Sequence, residues 1–174
     1  MDQKEEMSRQ TRFVHLRVHS EYSVIDGLIR VKSLTAKAAA LNMPAVAITD
    51  HVNLYALIKF YKAANGAGVK PICGCDILIS DEENPEKYCL LVLLVKNLKG
   101  YKNLTDLISR AHLEGQYRGN PCIKRSWLEG KTDGLIALSG GRTGDIGRAI
   151  LNADPALAGE LLQGWMDVFP DSFY

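Results

Sequence analysis

Three times in the first half of the chain a short apolar run ends in an imidazole or a carboxylate, and this repeat narrows the fold more than any other feature. Val14, Leu16 and Val18 alternate with His15, Arg17 and His19, the period of a strand with one apolar and one polar face; the segment continues to Asp26 and Gly27. Ala45 to Thr49 is apolar without alternation, as suits a strand buried on both faces, and it delivers Asp50 and His51. Val69 to Ile79 carries Gly74-Cys75-Asp76. In parallel α/β folds the strand ends share one mouth, so three strands delivering such groups predict a site there.

Helices are expected between these strands. Leu34, Ala38 and Leu41 recur at helical spacing, with Ser33 placed to cap the start and Pro44 to stop the helix. Leu54, Leu57, Ile58 and Tyr61 predict a second helix. Cys89 to Val95 reads as a further strand, set off by the polar stretch Ser80 to Lys87 and its Asn84-Pro85 turn. Leu104, Leu107, Ile108 and Ala111 form a helical stripe, Leu135 to Leu138 a short buried strand, and Ala158, Leu161, Leu162, Trp165 and Phe169 a last amphipathic helix. The alternation predicts an α/β fold with a parallel sheet and right-handed crossovers. Five strand candidates do not close an eight-stranded barrel, which typically needs about 200 residues or more. The reading is therefore a barrel that is incomplete because its last strands lie beyond the chain end. Residues 1–12 are polar and without period, a mobile lead-in to a domain spanning 13–174.

Composition excludes several classes. With 174 residues, 47% hydrophobic and 24% charged, the chain can bury a core and is not expected to be disordered. Its 21 basic and 20 acidic residues leave a net charge of +1, so there is no broad basic surface of the kind phosphate-backbone binding uses. Cys73, Cys75, Cys89 and Cys122 lack the spacing of a disulfide framework or a structural zinc site and read as reduced thiols. No apolar run reaches the roughly 18 residues of a membrane span, which predicts a cytoplasmic protein.

His19, Asp26, Asp50, His51 and Asp76 are the side-chain types that hold zinc, manganese and related ions, and clustered ions of that sort activate water against phosphate esters. His15 and His112 have no partner at useful spacing and read as structural. An acid at a strand end is also a common cap for the following helix, so Asp50 alone would decide nothing.

The strings Phe13 to Gly27, Ala45 to Asn53 and Gly66 to Asp76 resemble the opening motifs of the polymerase-and-histidinol-phosphatase (PHP) domain family. The form resembled is the one at the head of the alpha subunit of bacterial replicative DNA polymerase. Gly100-Tyr101-Lys102-Asn103-Leu104, Leu107-Ile108-Ser109 and Gly134 to Arg142 carry the same likeness, which covers nearly all of residues 13–174. The resemblance implies a distorted TIM-like βα barrel with a metal centre of up to three ions. It also implies a parent polymerase subunit, a nucleotidyltransferase that uses magnesium, whose palm is absent from this chain. The partners it implies are the remainder of that subunit, the proofreading exonuclease (epsilon) subunit and, through the parent, DNA.

Against the family pattern, three ligand positions are substituted. Arg17 stands where the first histidine of a His-x-His is usual, Leu90 where a histidine is expected, and Gly141 where a cysteine is expected. A guanidinium offers donors only and stays charged, so Arg17 opposes a cation and is suited to pair with Asp76 or Asp50. His19, Asp26, Asp50, His51 and Asp76 remain of the family's usual set. The expectation is a degenerate site with no catalytic residue and no required cofactor in this segment, acting as a structural and partner-docking module. The alternatives are a residual zinc or manganese ion on His19, His51 and one carboxylate, and with it a metal-dependent phosphoesterase, either a 3′-5′ exonuclease or a pyrophosphatase.

Overall fold

The computed structural model describes residues 13–81 and 86–174, so the lead-in expected at 1–12 and the Asn84-Pro85 turn lie outside the described residues. Helix α1 spans Val31–Ala40. It starts ahead of Ser33, which therefore lies in the first turn and does not cap it; the capping position is Arg30, whose side chain makes no capping bond. Strand β1, Ala45–Ile48, follows Pro44 and is buried along its length, as its unbroken apolar run requires. Helix α2, Leu57–Gly66, buries Leu57, Phe60 and Ala64. Ile58 and Tyr61, expected on that stripe, are exposed, because the bulk of Phe60 fixes which face turns inward.

Strands β2, Lys70–Ser80, and β3, Tyr88–Val95, form the centre of the sheet. Helix α3, Leu98–Glu114, is capped by Asn97, whose side chain accepts from the Gly100 N–H at 3.0 Å, and it buries Leu104, Leu107, Ile108 and Ala111 as their spacing predicts. A hairpin of β4, Gln116–Tyr117, and β5, Asn120–Lys124, comes next, unannounced by any alternation in the sequence. Strand β6 is Leu135–Ser139; α4, Asp145–Leu151, and α5, Pro155–Val168, complete the chain, with Asp154 capping α5 and Ala158 and Trp165 buried.

The sheet is mixed, which corrects the expected parallel arrangement. β1 and β5 pair with β2 in parallel, while β3 is antiparallel to β2 and β6 antiparallel to β3. The connection between β2 and β3 is a hairpin, too short to carry a crossover helix. The strand order is β4-β5-β2-β3-β6 with β1 beside β2, and the sheet does not close. Residues 172–174 cover the outer edge of β6, where the Ala137 and Ser139 N–H groups donate to the Ser172 and Tyr174 carbonyls at 2.8 and 2.7 Å.

The segment expected as the first strand is not a regular one. The carbonyls of His15 and Val18 accept from Ala47 and Thr49 of the β1 region at 2.8 and 2.9 Å, but the Val18 N–H donates to the Thr49 hydroxyl at 3.0 Å, so a side chain takes a ladder position. Both faces of β2 and β3 are buried. Cys75, Ile77, Ile79, Leu91 and Leu93 pack under Leu104, Leu107, Trp165 and Phe169, while Leu78 and Leu90 turn the other way. Asp76, two residues before Leu78, shares that second face, and this alternation positions the site. Among the described residues no helix is long and apolar enough to cross a membrane.

Candidate functional site

Arg17, His19, Asp26, His51 and Leu90 line one cavity of about 540 Å³, together with Tyr88, Arg142 and Arg148. Asp76 lies behind two of these side chains, Arg17 and His19, with its own side chain 0% exposed. Arg17 donates to Asp76 Oδ2 from Nε at 2.8 Å and from Nη2 at 2.6 Å, and His19 Nε2 reaches the same oxygen at 2.8 Å. On its other side His19 Nδ1 lies 2.9 Å from both oxygens of Asp26. A carboxylate offers acceptors only, so an imidazole between two of them is best served by carrying a proton on each nitrogen. The hydrogen bond to Asp76, then the charges of Asp76 and Asp26, accordingly raise the His19 pKa above its ordinary value despite partial burial. The bond to Asp76 also raises the Arg17 pKa.

Asp50 does not join Arg17, although the sequence left that pairing open. Its Oδ1 accepts from the Ser20 N–H at 2.6 Å and the Ser23 hydroxyl at 2.7 Å, and its Oδ2 accepts from the Ser20 hydroxyl at 2.8 Å. The Ser23 hydroxyl also accepts from the His51 N–H at 3.0 Å. Ser20 and Ser23 thus fold the loop after the first segment onto β1. Their role went unnoticed in the sequence because serine is common in loops; their placement just after His19 was the available signal. Arg142 and Arg148 were missed too, since they come from the other end of the chain and meet the cavity only through α4 and the turn before it.

His51 is half-buried, and its ring makes no hydrogen bond among the described residues; burial pushes its pKa down, toward the neutral form. His112 behaves as expected of a structural histidine, with Nε2 2.9 Å from the Val52 carbonyl. Leu90 is buried against Leu78 and presents only methyl groups. Gly141 begins a 3-10 turn with φ of 55°, a conformation that disfavours any side chain.

A metal centre of the kind the resemblance implies would draw on these residues. Asp76 Oδ1 is buried with no hydrogen-bond partner, the kind of atom an ion would satisfy, and the His51 ring is the other open donor. The remainder are committed: His19 faces two carboxylates, and Asp50 accepts three bonds. Catalytic zinc sites use three protein ligands. Among the described residues no group of three or more His, Cys, Asp or Glu side chains is arranged to hold an ion. The arrangement does not fit a metal centre, and Arg17 places fixed positive charge beside the one acid that an ion would need.

The sequence profile described as the PHP domain matches residues 15–174. Relatives named DNA polymerase III subunit alpha align over most of the chain. The one from Pseudomonas aeruginosa is 52% identical over 93% of this chain, that from Escherichia coli K12 49% over 94%, and that from Vibrio cholerae 45% over 94%. In each case the chain spans 14% of the relative's length.

Proposed function

The chain belongs to the PHP domain family, and from that premise we propose that it is the PHP segment of a replicative polymerase alpha subunit. In this reading it is a structural and docking module whose metal site has been replaced by a charge network. The observation that carries the reading is the Arg17–Asp76 pair: a guanidinium with both bonds on a fully buried carboxylate, at the position where the family pattern has a metal-binding histidine. A buried acid without compensation would be costly, and Arg17 and His19 together supply two opposing charges and three hydrogen bonds to it. Polymerisation, its magnesium and DNA belong in this proposal to the parent subunit, the proofreading exonuclease is the partner this segment docks, and no catalytic residue is assigned to the segment.

A metal-dependent phosphoesterase is the second reading. Asp76 Oδ1 and the open His51 ring favour it, and two donors are its whole support. Elemental analysis of the purified chain after mild dialysis separates the two. The expected result is no stoichiometric zinc or manganese in either the native chain or a His19→Ala, His51→Ala double variant. Near-stoichiometric metal in the native chain that disappears in the variant would overturn the charge-network reading.

A further inference from the structure

A second cavity, of about 410 Å³, opens on the other side of the sheet from Asp76. Ile79 and Cys89 line it and point into the layer that holds Trp165, while their neighbours Leu78 and Leu90 point toward the Arg17 cavity. The walls come from the β2–β3 hairpin, the turn after β5 and helices α4 and α5. A volume of this size falls within the roughly 300–1,000 Å³ of small-molecule sites, which are mostly apolar with a few convergent polar groups.

Three cations line it from three separate elements: Lys87 just before β3, Arg125 after β5 and Arg148 in α4. The Arg125 guanidinium lies over the Trp165 ring, 4.3 Å from its centroid. A Cβ at Gly164 would stand 2.8 Å from Arg125 Nη2, so the bare backbone of α5 makes the room that this group occupies. Among the described residues no hydrogen bond or ion pair engages it, which leaves a half-buried fork of donors held by packing and without an acceptor. Arg148 is fixed from Nη2 and Nε by the Tyr88 and Thr143 carbonyls and keeps Nη1. Two acids, Asp81 and Asp145, also line the cavity. Asp145 is already occupied, its Oδ1 accepting from the Ile146 N–H and its Oδ2 from Trp165 Nε1, each at 2.8 Å. Cys89 adds no charge, because burial pushes its thiol pKa up to about 11. The lining thus carries one more positive than negative charge, set against the hydrocarbon of Ile79 and Leu161.

We propose that this cavity binds a small aliphatic monocarboxylate, its head on Arg125 in the positive field of Arg148 and Lys87 and its chain along Ile79 and Leu161. A planar carboxylate matches the guanidinium fork, and its single charge matches the excess in the lining. A phosphate dianion would exceed that charge and set polar oxygens against the aliphatic wall. The site is independent of the Arg17–Asp76 network, which lies across the sheet.

The chain's 2 tryptophans supply the test, since Trp165 lines the cavity and Trp127 does not. The isotope-labelled whole chain is titrated at constant ionic strength with straight-chain monocarboxylates from acetate to octanoate, and with glutarate and inorganic phosphate, while both indole N–H resonances are followed. The expected result is a saturable shift at Trp165 with Trp127 unmoved, and a dissociation constant that falls about threefold per added methylene as far as hexanoate. Glutarate and phosphate should bind about tenfold more weakly than hexanoate. Arg125→Gln should weaken hexanoate about tenfold. Lys87→Gln, on an exposed side chain where the thermal melt should be retained, should weaken it about twofold and keeps the test decisive if Arg125→Gln does not fold. No saturable shift up to about 10 mM, equal shifts at both tryptophans, affinity indifferent to chain length, or phosphate bound as tightly as hexanoate would each overturn the proposal. So would affinity unchanged in every variant that folds, or lost in Arg142→Gln, which lines the Arg17 cavity and not this one.

Discussion

Asp76 is the residue on which most turns, because a carboxylate with no exposed surface must be neutralised by its neighbours. Arg17→Ala should destabilise the chain by about 2–3 kcal/mol in chemical denaturation, below the roughly 3–5 kcal/mol of fully buried pairs because half of the guanidinium faces solvent. Adding Asp76→Asn should recover most of that loss; a strictly additive double variant would mean the pair is not coupled. His19 gives a pH dependence whose sign follows from its raised pKa. Its contribution is complete below the unfolded value of about 6.5 and is lost as pH rises through the folded one, so the stability gap between the native chain and His19→Asn should narrow as pH is raised above about 6.5. His51, shifted down by burial, works the other way and loses stability as pH falls, so the comparison with His19→Asn, not the native curve alone, isolates the effect. That Arg17 would pair with a carboxylate, Asp76 or Asp50, was legible in the sequence, because a lone guanidinium among carboxylates has few other uses; the choice of Asp76 was not. The capture of Asp50 by Ser20 and Ser23 was not, since hydroxyls bond wherever a loop happens to turn.

At the level of elements, legibility followed how strongly each apolar pattern was written. The stripe of α3 and the run of β3 are long and unambiguous, and both are where their spacing puts them. The buried face of α2 was misread because Ile58 and Tyr61 are as apolar as Phe60 in a sequence, and only packing against β1 and β2 chooses among them. The β4–β5 hairpin has no alternation to announce it; its pairing comes from the β2 edge, where Cys122 and Ile123 lie opposite Leu78 and Ile79. Close approach between elements gives a sharper test than periodicity. A Cβ at Gly100 would stand 1.9 Å from the Gly134 carbonyl oxygen, so Gly100→Ala should cost about 1–3 kcal/mol as α3 is pushed off the turn before β6. Gly159, inside α5 with open space around it, should instead gain up to about 1 kcal/mol as alanine. Equal effects at the two sites, measured by urea midpoints, would contradict the packing described.

For the molecule as a whole, the sequence indicated an α/β chain with a site at strand ends, and it misjudged strand direction because alternation of strands with helices elsewhere in the chain was extended to β2 and β3, which no helix separates. The structure is mixed and its sheet open, with residues 172–174 laid against β6. In the proposed charge network no ion holds the site together, so the melting temperature should move by less than about 1 °C when a strong chelator is added; a larger drop would reveal a bound ion that contributes to stability. A fold braced by a dissociable cation is only as stable as the ion's activity in its surroundings, since the stabilisation grows with the logarithm of free concentration over dissociation constant. The guanidinium of Arg17 is covalently part of the chain and carries no such concentration term. With the proposed charge network, in metal-starved surroundings or among competing chelators, this domain would keep its shape where an ion-dependent counterpart loses its brace, and its folding would be set by its own sequence instead of by metal supply.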